Sequence, residues 1–286
     1  MADQNHRELL KEDYVEPRCV LCEEPYGVTA DVKPVPQQRI IEKMNDYMSR
    51  RDYAGAERHL LYWLEEAKLG HDERGQLMVE NELVGHFRKT GNKEQAFLHA
   101  KEALRLLDVL EYQGSISAGT TYVNVATACN AFGEDERALT YFEEARKCYE
   151  NSPMTQPELL GGLYNNMALT CISLAGKDPG LFAKAYELYD LAMAQMAKVP
   201  NGELEQAITC LNIANAVEAE QGLETGENRI YELVDRAADL LETPSLPRNG
   251  YYAFVCEKCV PTFSYYGYFA VAEELQALAE KIYAEN

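Results

Sequence analysis

Between Gly119 and Cys171 the chain spells one pattern twice. Gly119, Tyr122, Asn124 and Ala126 recur as Gly161, Tyr164, Asn166 and Ala168, each 42 residues further on. The same step runs backward and sets Phe87, Gly91, Ala96 and Ala103 against Cys129, Gly133, Ala138 and Ala145. A fixed period between about 20 and 50 residues marks units that bury their apolar faces against copies of themselves. The 286 residues therefore predict one solenoid with a continuous core rather than two independent globules.

Within each period the apolar residues follow the helical spacing twice. Ile40, Ile41, Met44, Tyr47 and Met48 form one stripe, and Ala56, Leu60, Trp63 and Leu64 the next. Leu83, Val84 and Phe87 lead to a turn at Gly91 and Asn92, then to Ala96, Ala100, Ala103 and Leu104. A third pair runs from about Gly119 to Tyr149, and a fourth from about Gly161 to Lys198 with a turn stretched by Gly176, Asp178, Pro179 and Gly180. A fifth begins at Ala207, with a long turn expected around Gly222 and Gly226. The last is irregular: residues 251–269 hold eight aromatics, and Pro261 predicts a short or kinked first helix. The end, Ala270 to Tyr283, is amphipathic and suits the polar capping helix that a solenoid needs.

These helix-turn-helix units, each with small and aromatic residues at set places, resemble tetratricopeptide repeats (TPRs). The usual TPR is about 34 residues long. Here Ala56, Ala96, Ala138 and Ala185 are spaced by 40, 42 and 47 residues. That is similar to the longer variety found in kinesin light chains and bacterial peptide-sensing regulators. The resemblance implies an all-α fold, a right-handed α-α superhelix of about six helix pairs over residues 38–286. Residues 1–37 stand outside the period, because Pro17, Pro25, Pro34 and Pro36 break any long helix; they predict an irregular extension laid over the first repeat.

Charge narrows the partner. A formal net charge of −20 repels phosphate backbones and anionic lipid, so the chain is expected to bind neither nucleic acid nor membrane. No apolar run approaches the roughly 18 residues of a membrane span, and the first residues resemble no signal or transit peptide. A cytoplasmic location is the expectation. No HExxH, phosphate loop, GxSxG or dinucleotide turn is present, which points away from an enzyme. His59 and His99 hold matching places in two second helices and are read as outer-face residues rather than ligands.

Two constellations remain. Cys19, Cys22, Cys256 and Cys259 form two CxxC pairs, and four thiolates suit a tetrahedral structural zinc. Their separation requires the extension, or a neighbouring chain in a homo-oligomer, to reach the last repeat; core cysteines or a redox pair are the other readings. Cys129, Cys148, Cys171 and Cys210 read as small core residues.

Asn124, Asn166 and Asn212 each precede an apolar residue and alanine. At 100° per residue Asn166 points about 150° away from the inward stripe Tyr164, Met167, Ala168 and Cys171. Either these are tolerated surface residues or they form a ladder that holds an extended peptide by its main chain, with Asn81, Asn165, Asn215, Thr120 and Thr127 beside it. Gly119 and Gly161 then leave the groove open. The expected function is a non-enzymatic scaffold for a protein or an extended peptide, basic or neutral; the alternative is a peptide-sensing regulator that changes conformation on binding.

Overall fold

A computed structural model describes residues 32–285, and within them lie twelve helices and no strand. Consecutive helices pack as six pairs, so the all-α, TPR-like solenoid expected from the repeat is the fold observed. The described residues divide into two compact units, the first ending at Gln113 and the second beginning at Gly114.

In the first unit α1 (Gln37–Ser49) pairs with α2 (Tyr53–Leu69), and α3 (Glu73–Lys89) with α4 (Lys93–Val109). Three of these helices start where the sequence supplies a cap. The side chains of Asp52, Asp72 and Asn92 accept the backbone N–H of Gly55, Gly75 and Gln95, each cap contributing about 1 kcal/mol. Asp72 is buried, and its second oxygen accepts the N–H of Val35 at 2.9 Å while the Lys33 N–H donates to the Gly70 carbonyl at 2.7 Å. Residues 33–35 are thereby fixed along the turn between α2 and α3.

His99 departs from its expected outer position. It is buried, its Nδ1 lies 2.6 Å from a carboxylate oxygen of Glu80, and its ring stacks on Phe87. Glu80 is itself buried and stands 19 residues earlier. His59 contacts α1 across the same separation, with Nε2 3.1 Å from the Ile40 carbonyl. Both histidines face the first helix of their pair because a polar partner waits there.

The second unit contains α5 (Ile116–Ala131) with α6 (Asp135–Asn151), α7 (Pro157–Leu174) with α8 (Gly180–Met196), α9 (Glu203–Gln221) with α10 (Leu223–Glu242), and α11 (Gly250–Tyr265) with α12 (Phe269–Glu285). Val125, Ala126 and Cys129 of α5 and Ala138, Phe142 and Ala145 of α6 have no exposed surface. Alanine at these positions lets the helices approach closely, and Phe142 supplies the volume.

Three expectations are corrected here. Gly119 and Gly161 do not open onto a groove: a Cβ at Gly119 would meet the Tyr149 ring, 2.6 Å from Cδ1, and one at Gly161 would meet the Met196 side chain. They are the points where each first helix closes on its own second helix. No long turn separates α9 from α10, since Gly222 alone joins them at φ 80°, a left-handed backbone that favours glycine. Gly226 instead lies inside α10, where a Cβ would stand 2.7 Å from Val217. Finally, α11 is not short: it runs 16 residues and continues past Pro261. One missing N–H does not break a helix held by the buried Tyr252, Val255, Cys256, Cys259 and Phe263.

Candidate functional site

The first helices of the second unit, α5, α7, α9 and α11, pack side by side as one layer. On α7 the stripe Tyr164, Met167, Ala168 and Cys171 is buried, as its spacing predicts. The opposite face turns outward through Gly162, Leu169 and Ser173, with Leu169 41% exposed. On α5 the residue corresponding to Leu169 is Thr127, half-buried; Thr120 is half-buried too, but its hydroxyl lies 2.9 Å from that of the buried Tyr149 on α6, so it belongs to the seam with the second helix.

Side-chain hydrogen bonds tie the layer together, neutral between α5, α7 and α9 and made mostly to carboxylates between α9 and α11. Asn130 Nδ2 on α5 donates to Thr170 Oγ1 on α7 at 2.8 Å, and the Thr170 hydroxyl donates to the Asn166 carbonyl at 2.9 Å. Asn212 Nδ2 on α9 donates to Asn165 Oδ1 on α7 at 3.1 Å, with the Thr209 hydroxyl 3.4 Å from the same oxygen. Between α9 and α11 the Tyr266 hydroxyl lies 3.0 Å from Asn215 Oδ1 and 2.9 Å from Glu218 Oε2, and Tyr265 donates to Glu218 Oε1 at 2.5 Å. Tyr251 donates to Glu205 at the other end of the same two helices.

The six asparagines singled out from the sequence therefore have different settings. Asn165 and Asn212 meet each other across two helices, and Asn215 meets Tyr266. Asn124 and Asn166 are half-exposed on matching positions of α5 and α7, and the Asn166 side chain makes no hydrogen bond within the described residues. Asn81 belongs to the first unit and donates to the Leu77 carbonyl one turn back in its own helix, at 3.0 Å.

Charge is partitioned between the helices. α5 carries no charged side chain and α7 only Glu158, whereas the 17 residues of α6 carry eight. The ion pairs Lys177–Glu136 (2.7 Å) and Lys184–Glu143 (2.8 Å) involve the second helices α6 and α8 or the turn before α8.

After Gly250 the exposed positions of α11 are Tyr251, Phe254, Lys258, Pro261 and Tyr265, a 3-4-3-4 spacing that places them on one stripe. The Tyr251 and Phe254 rings stack with centroids 6.2 Å apart. This aromatic rail was in the sequence, but aromatics also fill the buried side of α11, so counting them did not reveal which side was open.

Of the four cysteines suited to zinc, Cys19 and Cys22 lie outside the described residues. Cys256 and Cys259 are buried on α11, and burial pushes both thiols up, Cys259 to about 12. No group of three or more His, Cys, Asp or Glu able to hold a metal occurs among the described residues. Cys129, Cys148, Cys171 and Cys210 are buried core residues.

No protein-family model matches the chain, and no curated protein sequence matches it. The solved structures define its class as a TPR-like helical-repeat fold. The nearly identical TPR-like repeats of a candidate kinesin light chain from Podosopora anserina align with a TM-score of 0.51 at 16% identity, covering 75% of this chain and 97% of that one. A second structure of those repeats gives 0.50 at 15% identity, over 73% and 96% of the two chains. At such identity the likeness concerns the fold alone.

Proposed function

We propose that the outward face of α5, α7, α9 and α11 docks a protein segment, and that the chain acts as a non-enzymatic interaction scaffold. The observation that carries this reading is the absence of charge. The 34 residues of α5 and α7 include one charged side chain, in a chain with net charge −20, although α7 exposes Leu169 and Ser173 and α5 leaves Asn124 and Thr127 half-exposed. A helix face selected only for solvation carries Glu and Lys. One that presents amides, hydroxyls and a leucine can be desolvated without stripping water from charges, and its amides can pair with both the N–H and the C=O of an extended main chain. An acidic protein favours a basic or neutral segment. No helix among the described residues is long and apolar enough to cross a membrane. A cytoplasmic setting, without nucleic acid or lipid as ligand, belongs to the same proposal.

The test places a charge on the face. Leu169→Glu is expected to leave the helical content intact and to remove the specific partners from an affinity capture quantified by mass spectrometry. Lys147→Glu, on the exposed side of α6, should leave them in place. Identical captures by the wild type and Leu169→Glu would end the reading.

A further inference from the structure

At the end of the layer where α7, α9 and α11 begin, the second unit contains a cavity of about 470 Å³. Its walls include the apolar side chains of Met196, Val199, Leu204 and Pro247, with the half-exposed ring of Tyr251 at one side. Two carboxylates, Glu158 and Glu205, also line it, and no lysine, arginine or histidine does. Neither carboxylate forms an ion pair among the described residues; Glu205 accepts the Tyr251 hydroxyl and Glu158 has no side-chain partner there. Acidic residues in a first helical turn suit the helix dipole, which explains why each stands on its helix. The dipole does not explain why both line one apolar cavity.

We propose that this cavity receives a basic side chain of the docked segment, arginine in preference to lysine; the inference rests on the docking function proposed above. Apolar walls match the methylene stem, which packs while its charged head seeks the carboxylates. The Tyr251 ring at the cavity wall offers a face on which a planar guanidinium can lie, and its fork of donors suits a carboxylate better than an ammonium does. The volume lies in the range of pre-formed small-ligand sites, enough for one long side chain and part of its neighbour. The negative charge of the whole chain would steer such a group toward it.

The test uses the full chain with its methionine methyl groups labelled with carbon-13, the Met196 signal being assigned through Met196→Leu. N-acetyl-arginine amide is titrated, with N-acetyl-norleucine amide and N-acetyl-glutamate amide as comparisons. Saturable movement of the Met196 methyl is expected with the arginine probe alone. It should weaken at least fivefold in Glu158→Gln/Glu205→Gln, whose thermal midpoint should match the wild type, and should weaken also in high salt. No saturable shift, equal binding of the norleucine probe, or full binding by the double variant would each overturn the proposal. Probe binding with a capture unaffected by Leu169→Glu would reject the docking face and leave the cavity standing. A capture lost in Leu169→Glu with no probe binding would reject only the cavity.

Discussion

Asn165 and Asn166 are neighbours on α7 with different settings, one bonded to the adjacent helix and one not, and replacing each by alanine separates them by sign. Asn165 Oδ1 receives Asn212 Nδ2 from the adjacent helix, at 3.1 Å, and its loss removes a bond worth about 0.5 to 1.5 kcal/mol. Alanine returns about 0.5 kcal/mol of helix propensity, so Asn165→Ala is expected to be neutral to about 1 kcal/mol destabilised. Thr209 limits the damage, because its hydroxyl also donates to the Glu205 carbonyl at 2.9 Å and keeps that bond. Asn166 has no side-chain bond to lose among the described residues, so Asn166→Ala should gain about 0.5 kcal/mol, a rise in Tm of about 1 to 2 °C for a unit of this size. Binding should behave in the opposite sense. A buried peptide main-chain group left without its amide partner costs about 1 to 3 kcal/mol, roughly five- to 150-fold in Kd. Differential scanning fluorimetry reads the first quantity, and calorimetry against a segment mapped from the captured partner reads the second. An unchanged Kd for Asn166→Ala would refute the ladder, and a fall in its Tm below that of Asn165→Ala would show that its setting has been misread.

Two glycines in the same layer make a second sign test: Gly162→Ala, with open space at its Cβ, should gain about 1 kcal/mol, whereas Gly119→Ala meets the buried Tyr149 ring, and overpacking of about 1 to 3 kcal/mol should cancel or exceed that gain. Comparison of the two thermal midpoints decides it, and an equal rise in both would be wrong for a close helix approach at Gly119. A third expectation concerns pH, since all five histidines precede residue 114 and burial holds His86 and His59 below the ordinary imidazole value. A lowered folded value means that the unfolded chain binds the proton first, so this contribution is present above about pH 6.5 and lost as the pH falls toward the folded values. Rate-corrected hydrogen exchange at pH 7.5 and 5.5 should therefore rise in peptides from α2 and α3 more than in peptides from α9 and α10. The four-cysteine zinc proposal predicts one zinc per chain in protein purified without added metal and its loss in Cys19→Ser/Cys256→Ser; elemental analysis showing none would dismiss it.

The repeat was legible because it is written in residues whose size alone carries information. Ala96, Ala138 and Ala185 can stand at a helix crossing only where two backbones approach, and all three are fully buried. Glycine is different, because it has no side chain to say whether the space beside it is empty or occupied. Gly119 and Gly161 read as an open groove, and only Tyr149 and Met196, 30 and 35 residues away, show the reverse. His99 was misplaced for a related reason: the carboxylate that makes its burial tolerable lies on the preceding helix, and a lone histidine does not announce it. Pro261 was given too much weight, since packing on one side of α11 outweighs one absent hydrogen bond. The bond between Asn165 and Asn212 was not read, because the pattern aligned Asn212 with Asn166, whereas the partner it meets is Asn165, one residue off that register.

The partition of bonding chemistry between the two sets of helices bears on what the layer can be covered by. Ion pairs on or beside the second helices α6 and α8 can remain in water, where they contribute little and cost nothing to keep. If such pairs lay under a partner, their desolvation would offset much of the binding. The bonds joining α5 to α7 and α7 to α9 are amide and hydroxyl bonds that involve no ion, so covering them strips water from no charge. The α9–α11 end is the exception, with Glu205 and Glu218 bonded only to tyrosine hydroxyls among the described residues. A neutral segment laid over those carboxylates would dehydrate charge without compensation, whereas a basic one would supply it. On the docking reading proposed above, a segment spanning the layer is expected to change character along its length, neutral over α5 and α7 and basic where it reaches α9 and α11. The same change gives it a direction.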